Sequence, residues 1–294
     1  MKKHLPLLCC LFGLCLLSLQ YGFAQAETPD TARLWRIATV DDNEYFGRIL
    51  SKDSEQIVLQ TENIGLITIR MQNIKSIREA NPARMVNGSY WAENPQATRY
   101  FWAPNGYGLA QGEGYYQNVW VLFNQVSIGL SDNVSLGVGM VPLFLFSGTA
   151  TPIWFTPKVS IPIKKDAFNV GGGMFIGTVI GEESGAFGIA YGVATVGSRD
   201  KNLSVGLGYG FVDGDWARRP AVSINGMLRI GKKGYLLGES YILNEGGVIL
   251  LGGRTVWSKL SLDYGLGVPF ATGGFFAAPW LALVLPFGNT RTTP

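Results

Sequence analysis

The clearest pattern in the chain is a strict alternation of bulky apolar residues with small ones between residues 203 and 211. The run is Leu203-Ser-Val-Gly-Leu-Gly-Tyr-Gly-Phe211. A period of two predicts a β-strand. After a polar stretch at 213–219, the alternation returns over 220–231 and stops at Gly231-Lys-Lys-Gly234. The two runs therefore predict an antiparallel hairpin.

The hairpin carries its bulky residues on one face and small or polar residues, including Arg229, on the other. A soluble sheet buries its bulky face against another layer. Nearly all of the chain after Tyr115 has the same strand pattern, and its sequence offers no amphipathic helix to cover these faces. Lipid is the simplest cover, because a closed barrel satisfies its backbone hydrogen bonds between strands and exposes an apolar outer surface. The pattern favours an all-β fold, a transmembrane antiparallel β-barrel.

We predict eleven barrel strands after Tyr115. They lie at 115–130, 134–147, 152–163, 167–181, 186–198, 202–212, 220–231, 235–244, 247–257, 260–270 and 277–287. A further, irregular first strand is placed at 98–109, within a connector, 81–114, that Asn-Pro and Asn-Gly turns punctuate. Its aromatic residues fit a membrane interface, where Trp and Tyr collect.

The turns between these strands form two alternating sets. One set is tight and polar, at 131–133, 164–166, 198–201, 231–234 and 258–259. The other is on the whole longer, at 110–114, 147–151, 182–185, 213–219, 244–246 and 271–277. Outer-membrane barrels have short periplasmic turns and longer external loops. An even number of strands puts both barrel ends on the periplasmic side, so we predict about 12 strands, with ten and eleven as alternatives.

The first 26 residues have the pattern of a secretory signal peptide. Basic residues at 2–4 precede an apolar core, Leu5 to Leu19, and Ala24-Gln-Ala26 supplies the small residues that a signal peptidase requires. The core is shorter than the roughly 20 residues of a spanning helix. A lipoprotein signal is the alternative, because the three cysteines of the chain lie here. The residues before those cysteines are not the small ones that a lipobox requires.

Removal of residues 1–26 changes the chemistry of the chain. All three cysteines and the only histidine, His4, lie within this segment, so residues 27–294 contain neither type. Thiol nucleophiles, disulfides, Ser-His catalysis and zinc sites built on Cys or His are thereby excluded, whereas carboxylate chemistry and Ser-Lys pairs are not. Taking Lys2 and Lys3 from 24 basic residues leaves 22 against 21 acidic ones, without a basic tract that suggests nucleic acid.

Residues 27–80 are richer in charge and poorer in glycine than the rest, and they predict five short strands, at 34–40, 45–50, 56–61, 66–71 and 74–77. Such strands make a small barrel or sandwich. The run Gly47-Arg-Ile-Leu, Ile57-Val-Leu-Gln-Thr61, Gly65-Leu-Ile-Thr-Ile69 and Ile74-Lys-Ser-Ile77 resembles the Sm-like, SH3-type barrel. That resemblance implies RNA binding. Because an exported module with acidic turns favours docking on a protein, we expect no nucleic acid as a partner.

Over residues 115–288 the chain resembles Gram-negative outer-membrane β-barrel proteins. The pairing with an Sm-like module, and the segment from Arg99-Tyr-Phe through Gly112-Glu-Gly-Tyr-Tyr-Gln-Asn118, resemble uncharacterised envelope proteins of this kind. The resemblance implies a cell outer-membrane location, with the N-terminal module and the C-terminus in the periplasm. It also implies three partners: outer-membrane lipid, the barrel assembly machinery and a periplasmic protein that binds residues 27–80. Phe287 ends the last strand, and a tail at 289–294 follows.

The inward face of the predicted barrel carries a small set of charges. Clean alternation places Lys158, Arg229 and Asp263 inside. Arg254 and Glu239 join them, because an Arg or Lys side chain facing mid-bilayer lipid costs roughly 2–4 kcal/mol. These five are the candidate lumen-lining residues. They either form a salt-bridged network that closes the bore or line a water-filled path for small polar solutes.

Three functions fit these observations. A passive channel or transporter for small solutes ranks first, and a closed structural barrel that anchors the module to a periplasmic partner ranks second. An outer-membrane enzyme with carboxylate chemistry at Asp263 or Glu239 ranks last, because no histidine remains as a general base. We therefore expect no enzyme, cofactor or metal site. A soluble, secreted β-sandwich is the rival fold, but its strands would be nearer to about six residues.

Overall fold

The computed structural model describes residues 33–147, 150–181, 185–257, 259–271 and 276–288. The predicted signal peptide at 1–26 and the tail at 289–294 lie outside the described residues. The chain divides into two compact units, one ending at Tyr90 and the other beginning at Trp91. None of the helices in the described ranges has the length and apolar character that crossing a bilayer requires.

The first unit is a five-stranded antiparallel sheet with the strand order β4-β3-β2-β1-β5. Its strands are β1 (Leu34–Thr39), β2 (Glu44–Lys52), β3 (Gln56–Thr61), β4 (Gly65–Arg70) and β5 (Ile74–Ala80). Short 3-10 turns at Met71–Asn73 and Pro82–Arg84 flank β5, and β6 (Met85–Val86) and β7 (Ser89–Tyr90) form a small hairpin. The five predicted strands are therefore present. The resemblance to the Sm-like fold stays a prediction.

An apolar cluster forms the core of this unit. Ile37, Ile57 and Leu59 have no exposed surface, and Ile49 and Ile69 are buried beside them. The alternation of β3 points Ile57 and Leu59 inward and Gln56 and Gln60 toward solvent. The module follows the ordinary rule for a soluble protein, with bulky residues inside and polar residues outside.

The second unit is a closed antiparallel barrel of twelve strands. They are β8 (Glu113–Val119), β9 (Phe123–Gly129), β10 (Val134–Met140), β11 (Thr151–Lys164), β12 (Phe168–Ile180), β13 (Phe187–Gly197), β14 (Lys201–Val212), β16 (Ala221–Arg229), β17 (Gly234–Leu243), β18 (Gly246–Val256), β19 (Ser261–Phe270) and β20 (Ala278–Gly288). Each strand pairs with two neighbours, and the pairing of β20 with β8 completes the circle. A two-residue strand, β15 (Asp215–Trp216), pairs antiparallel with the end of β14, and a short helix, α1 (Pro142–Ser147), follows β10. The predicted number of strands is confirmed.

The residues that form the first strands of the barrel differ from the prediction. The single strand predicted at 115–130 is two strands, β8 and β9, joined by a turn at residues 120–122. The predicted strand at 98–109 is wrong, because these residues form only one isolated bridge, between Arg99 and Pro104. The turn was missed because Val119-Trp-Val-Leu-Phe123 is an unbroken apolar run without a turn residue.

The connections alternate between the two ends of the barrel. The tight polar turns, after β9, β11, β13, β16 and β18, share one end with the start of β8 and the close of β20. We call this the tight-turn end and the opposite one the long-loop end. The assignment of residues 110–114 to the long set is wrong, because Gln111 donates a backbone hydrogen bond to Asp132 in the turn after β9. Residues 120–122 take that place at the long-loop end.

The barrel wall has an apolar exterior and a mixed, largely polar interior. On β14, Leu203, Val205 and Leu207 are at least half exposed, whereas Ser204 between them is 1% exposed. The same alternation runs around the barrel. Exposed bulky residues include Val126, Val138, Phe155, Val159, Ile161, Ile224, Leu228, Leu236, Ile249, Leu251, Leu266, Leu281, Leu283 and Leu285. The bulky face therefore points outward, opposite to the arrangement in the first unit.

Candidate functional site in the barrel interior

Residues 94–109, which we call the plug, fold into a hairpin inside the barrel. Tyr100 N donates to Ala103 O at 3.0 Å, and Asn105 N donates to Thr98 O at 3.2 Å. The Asn105 side chain closes the hairpin further, with its Nδ2 donating to Ala97 O at 2.7 Å. Asn105 and Tyr100 have no exposed surface. The predicted interfacial strand is instead a buried internal loop.

The plug enters and leaves at the tight-turn end. Near its start, Asn94 Nδ2 lies 3.4 Å from Arg199 O, in the turn after β13. Near its close, Arg199 donates back to Gly108 O at 3.3 Å. The tip of the hairpin reaches toward the long-loop end, where the Trp102 ring contacts the rings of Trp154 and Trp280. The hairpin therefore extends along the bore.

Three buried charges join the middle of the plug, at Arg99, to the barrel wall. Arg254 on β18 and Asp263 on β19 are directly opposite in the strand register. Arg254 Nε and Nη2 donate to the two oxygens of Asp263 at 2.6 and 2.9 Å, a bidentate ion pair. Arg99 of the plug donates to the same carboxylate at 3.0 Å. One carboxylate thus holds two guanidinium groups, one from the wall and one from the plug.

Arg254 also binds the plug backbone directly. Its Nη2 donates to Tyr100 O at 2.6 Å, and its Nη1 donates to Gln96 O at 2.9 Å. The side chains of Gln96 and Ser261 are hydrogen-bonded to each other beside this pair. Arg254 and Asp263 have no exposed surface. Both ions are satisfied mainly by groups of the plug and of each other, as a buried charge requires.

Glu239 and Lys158 bind the plug backbone from other strands. Glu239 on β17 accepts hydrogen bonds from Trp102 N at 2.9 Å and Ala103 N at 3.0 Å, at the hairpin tip. Lys158 on β11 donates to Tyr107 O at 2.6 Å and to Thr98 O at 3.3 Å. The negative wall residue, Glu239, therefore binds backbone N–H groups of the plug, and the positive one, Lys158, binds backbone C=O groups.

Arg229 has a different place from the other four. It lies at the end of β16 and donates to Asp200 Oδ2 at 3.1 Å and to Lys232 O at 2.7 Å, in two neighbouring tight turns. Its guanidinium also donates to Ala92 O at 2.8 Å and stacks on the Trp91 ring. Arg229 therefore anchors the chain just before the plug at the tight-turn end.

Hydroxyl groups of the wall and of the plug make further polar contacts. Thr195 Oγ1 on β13 accepts from Gly106 N at 2.7 Å, and the Tyr100 hydroxyl donates to Asn202 Oδ1 at 2.6 Å. Near the tight-turn end the Tyr107 hydroxyl donates to Gly197 O at 2.5 Å. Burial raises the pKa of Tyr107 above its ordinary value, which further favours the protonated phenol that donates here.

The plug tip also packs into an apolar cluster. Phe101 and Ala103 are buried against Val119, Leu250 and Ala282 of the wall. Beyond them, toward the long-loop end, an aromatic group surrounds Trp102. Its members are Trp102, Trp120, Phe123, Trp154, Phe175 and Trp280. Hydrogen bonds thus fix the body of the plug, and apolar packing adds to the Glu239 hydrogen bonds at its tip.

The structure brings four of the five predicted lumen residues, Lys158, Glu239, Arg254 and Asp263, onto one segment. The fifth, Arg229, lies at the barrel end. Sequence reasoning missed Arg99 and Asn105 because the pattern predicts a strand at 98–109, and it missed Gln96 because that residue lies in the predicted connector. Two signals pointed the other way: an arginine within a run of aromatic residues, and the strand-breaking Pro104-Asn-Gly106.

No protein-family model matches this chain, and no curated protein matches it. Solved structures do match. The KdgM porin has a TM-score of 0.46 and 8% identity, covering 60% of this chain and 99% of that one. OmpTdeltaL8, a loop L8 deletion mutant of OmpT, an outer membrane protein of Vibrio cholerae, has a TM-score of 0.32 and 12% identity, covering 87% of this chain and 96% of that one. Neither TM-score reaches 0.5, so the barrel is established by its own strand pairing.

Proposed function

We propose that this chain is an outer-membrane β-barrel closed by its own plug, and that it anchors the N-terminal β module in the periplasm. One observation carries this proposal: Lys158, Glu239, Arg254 and Asp263 each form at least one hydrogen bond with residues 94–109. An open pore leaves such groups to water and solute. Here residues 94–109 occupy the positions that water and solute would take in an open pore.

The apolar exterior supports the membrane location. A closed barrel leaves no unpaired strand edge, and its outer face carries bulky aliphatic residues at half exposure or more, such as Leu203, Leu207 and Leu251. Bilayer-spanning barrels have this combination, because lipid offers no hydrogen bonds to backbone groups. The arrangement also disfavours the rival soluble sandwich, whose bulky face would be covered by a second sheet.

The two ends of the barrel support its orientation. The start of β8 and the close of β20 lie together at the tight-turn end, as twelve strands require. Short turns face the periplasm in outer-membrane barrels. With that orientation the module at Leu34 to Ala80 lies in the periplasm, where a protein partner could bind it.

A channel that opens when the plug leaves is the second candidate. It is favoured by how the plug is held: in the described residues, the plug backbone forms no ladder with a barrel strand, and its one bridge is internal. Side chains of the wall and of the plug make the contacts instead. Withdrawal would therefore exchange side-chain hydrogen bonds for water without unzipping the sheet, and small solutes could then pass.

An enzyme that uses Asp263 or Glu239 is the least favoured candidate. Both oxygens of Asp263 are bound by guanidinium groups, and Glu239 accepts two backbone N–H groups of the plug. A general base needs a lone pair within reach of substrate. In this conformation both carboxylates serve the plug.

A disulfide that locks the plug separates the first two candidates. Residues 27–294 contain no cysteine, so an engineered pair has no competitor. A Cβ placed on Gly108 would lie 3.0 Å from Ser160 Cβ on the inner wall. Disulfides join Cβ atoms at about 3.5–4.5 Å, so a small shift allows Gly108→Cys and Ser160→Cys to bond. Conductance across a planar bilayer is then recorded for wild type and for the locked variant, oxidised and reduced.

A closed barrel predicts silent bilayers in all three cases, with insertion verified by heat-modifiable gel migration. If wild type and the reduced variant show openings and the oxidised variant shows none, the channel candidate is favoured over the closed barrel. Openings that ignore the lock would contradict the plug's role in closing the bore.

A further inference from the structure

Three neighbouring strands are too short to cross the apolar band of an outer membrane. β8, β9 and β10 have seven residues each, whereas the other nine barrel strands have 9–14. Seven residues at about 3.3 Å each, tilted by about 40°, rise about 18 Å, against an apolar band of about 25 Å. One end of these strands must therefore lie inside the band.

The polarity of the connections shows which end this is. At the tight-turn end, the segments next to these strands are polar, with Gln111, Asp132 and Asn133. At the long-loop end they are apolar: Trp120-Val-Leu122 joins β8 to β9, and Val141-Pro-Leu-Phe-Leu145 follows β10. Polar turns belong in water, so the shortfall lies at the long-loop end.

The turn at Trp120 and Val121 has an unusual composition for its geometry. Both residues have positive φ, 52° and 67°, and Leu122 N donates to Val119 O at 3.1 Å. Two-residue hairpin turns with two positive φ angles prefer Asn-Gly, and a β-branched residue there is an outlier. The chain accepts that strain and exposes 82% of Val121. An apolar pair in place of Asn-Gly suits a surrounding that is not water.

The helix α1 continues the same surface. Leu143, Phe144 and Leu145 are exposed in succession, at 57%, 39% and 51%. The strands that carry both connections expose Val126 and Val138 outward, so the apolar surface runs on from the barrel wall. The Trp120 indole N–H donates to Pro279 O at 2.7 Å, which leaves its exposed ring without an unmet polar group.

We propose that the Trp120–Leu122 turn and α1 lie in the lipid of the outer leaflet and complete the apolar band where β8, β9 and β10 are short. The occupant of this patch is lipid, because the patch is continuous with the outward face of the same strands. The inference rests on the proposed membrane location. It makes this side of the barrel a lipid-anchored rim, whereas the segments that follow β14 and β17 expose the charged residues Asp213, Asp215 and Glu245.

Site-directed spin labels test the patch. Single cysteines are introduced into residues 27–294 by Val121→Cys and Leu143→Cys, and the protein is reconstituted in phospholipid vesicles. Power saturation measures the access of oxygen, which enriches in lipid, and of a water-soluble nickel chelate. Two controls are labelled in parallel: Leu207→Cys, outward at the middle of β14, and Glu245→Cys, an exposed turn residue at the long-loop end.

We expect both patch labels to favour oxygen as the Leu207 label does, and the Glu245 label to favour nickel. Patch labels that favour nickel while the Leu207 label favours oxygen overturn the inference and leave the membrane barrel intact. Patch labels shielded from both reagents also overturn it, because a protein neighbour then covers the surface. A Leu207 label that favours nickel overturns the membrane location itself, and with it this inference.

Discussion

The module and the barrel use the same alternation in opposite senses. In the module, Ile57 and Leu59 point into an apolar core, and the charges, such as the Arg36–Glu44 pair, lie at the surface. In the barrel, Leu207 and its equivalents point outward, and the ion pair of Arg254 and Asp263 is fully buried. A period of two fixes which residues share a face, but not which face meets water.

The difference shows that the surroundings, and not the local pattern, select the inward face. Both units are antiparallel β-structures, so the direction of strand pairing does not separate them. In the module, the bulky faces of the strands pack against one another in one core. The barrel wall instead carries bulky residues all around its exterior. Substitutions that probe each face should therefore have opposite outcomes in the two units.

The largest effect is expected at the buried ion cluster. Asp263→Ala leaves Arg254 and Arg99 buried without a counter-ion, which costs about 3–5 kcal/mol of unfolding free energy. Urea unfolding of the reconstituted protein, followed by tryptophan fluorescence, measures it. Asp215→Ala, at an exposed residue of the two-residue strand β15, is the matched control and should stay within about 0.5 kcal/mol of wild type. An Asp263→Ala protein as stable as this control would mean that the cluster is not a closed, water-free site.

The next effect belongs to the module core. Leu59→Ala removes a fully buried side chain and should cost the module about 2–5 kcal/mol. Limited proteolysis should show faster cleavage within residues 34–80, while the heat-modifiable migration of the barrel stays unchanged. Leu66→Ala, at a residue 64% exposed, is the control with little effect. Loss of barrel migration in the Leu59→Ala protein would show that the two units do not fold independently.

An outward arginine gives the sharpest contrast between the units. Leu207 on the barrel and Leu66 on the module are both exposed apolar residues. Leu207→Arg should cost roughly 2–4 kcal/mol, because the charge faces mid-bilayer lipid. Leu66→Arg faces water and should change stability by no more than about 0.5 kcal/mol. Equal, small effects in vesicles would remove the case for lipid around the barrel.

The smallest effect is expected at the surface ion pair of the module. The side chains of Arg36 and Glu44 are 40% and 37% exposed, so solvent screens their attraction. Glu44→Ala should cost less than about 1 kcal/mol in thermal unfolding of the module. A loss as large as that of Asp263→Ala would show that exposure does not distinguish the two ion pairs.

The sequence predicted the wall of the barrel better than its contents. Strand alternation located most of the wall and placed Lys158 and Asp263 on its inner side, because the period of two is a local property. The cost of a charge in lipid, and not the alternation, placed Glu239 and Arg254 there. The plug has no such signal. Its hairpin is defined by contacts with residues such as Asp263, more than 150 positions away. The Trp120 turn was missed for the opposite reason, since its composition contradicts its backbone geometry.

The most direct test of a plugged bore is disulfide formation between Gly108→Cys and Ser160→Cys in the intact protein. The control pairs Gly108→Cys with Val159→Cys, the neighbouring position, which is 46% exposed on the outer face of β11. Mild oxidation should cross-link the 108–160 pair almost completely and the 108–159 pair hardly at all. Equal yields from the two pairs, or no cross-link at 108–160, would place residues 94–109 outside the bore and contradict the closed barrel.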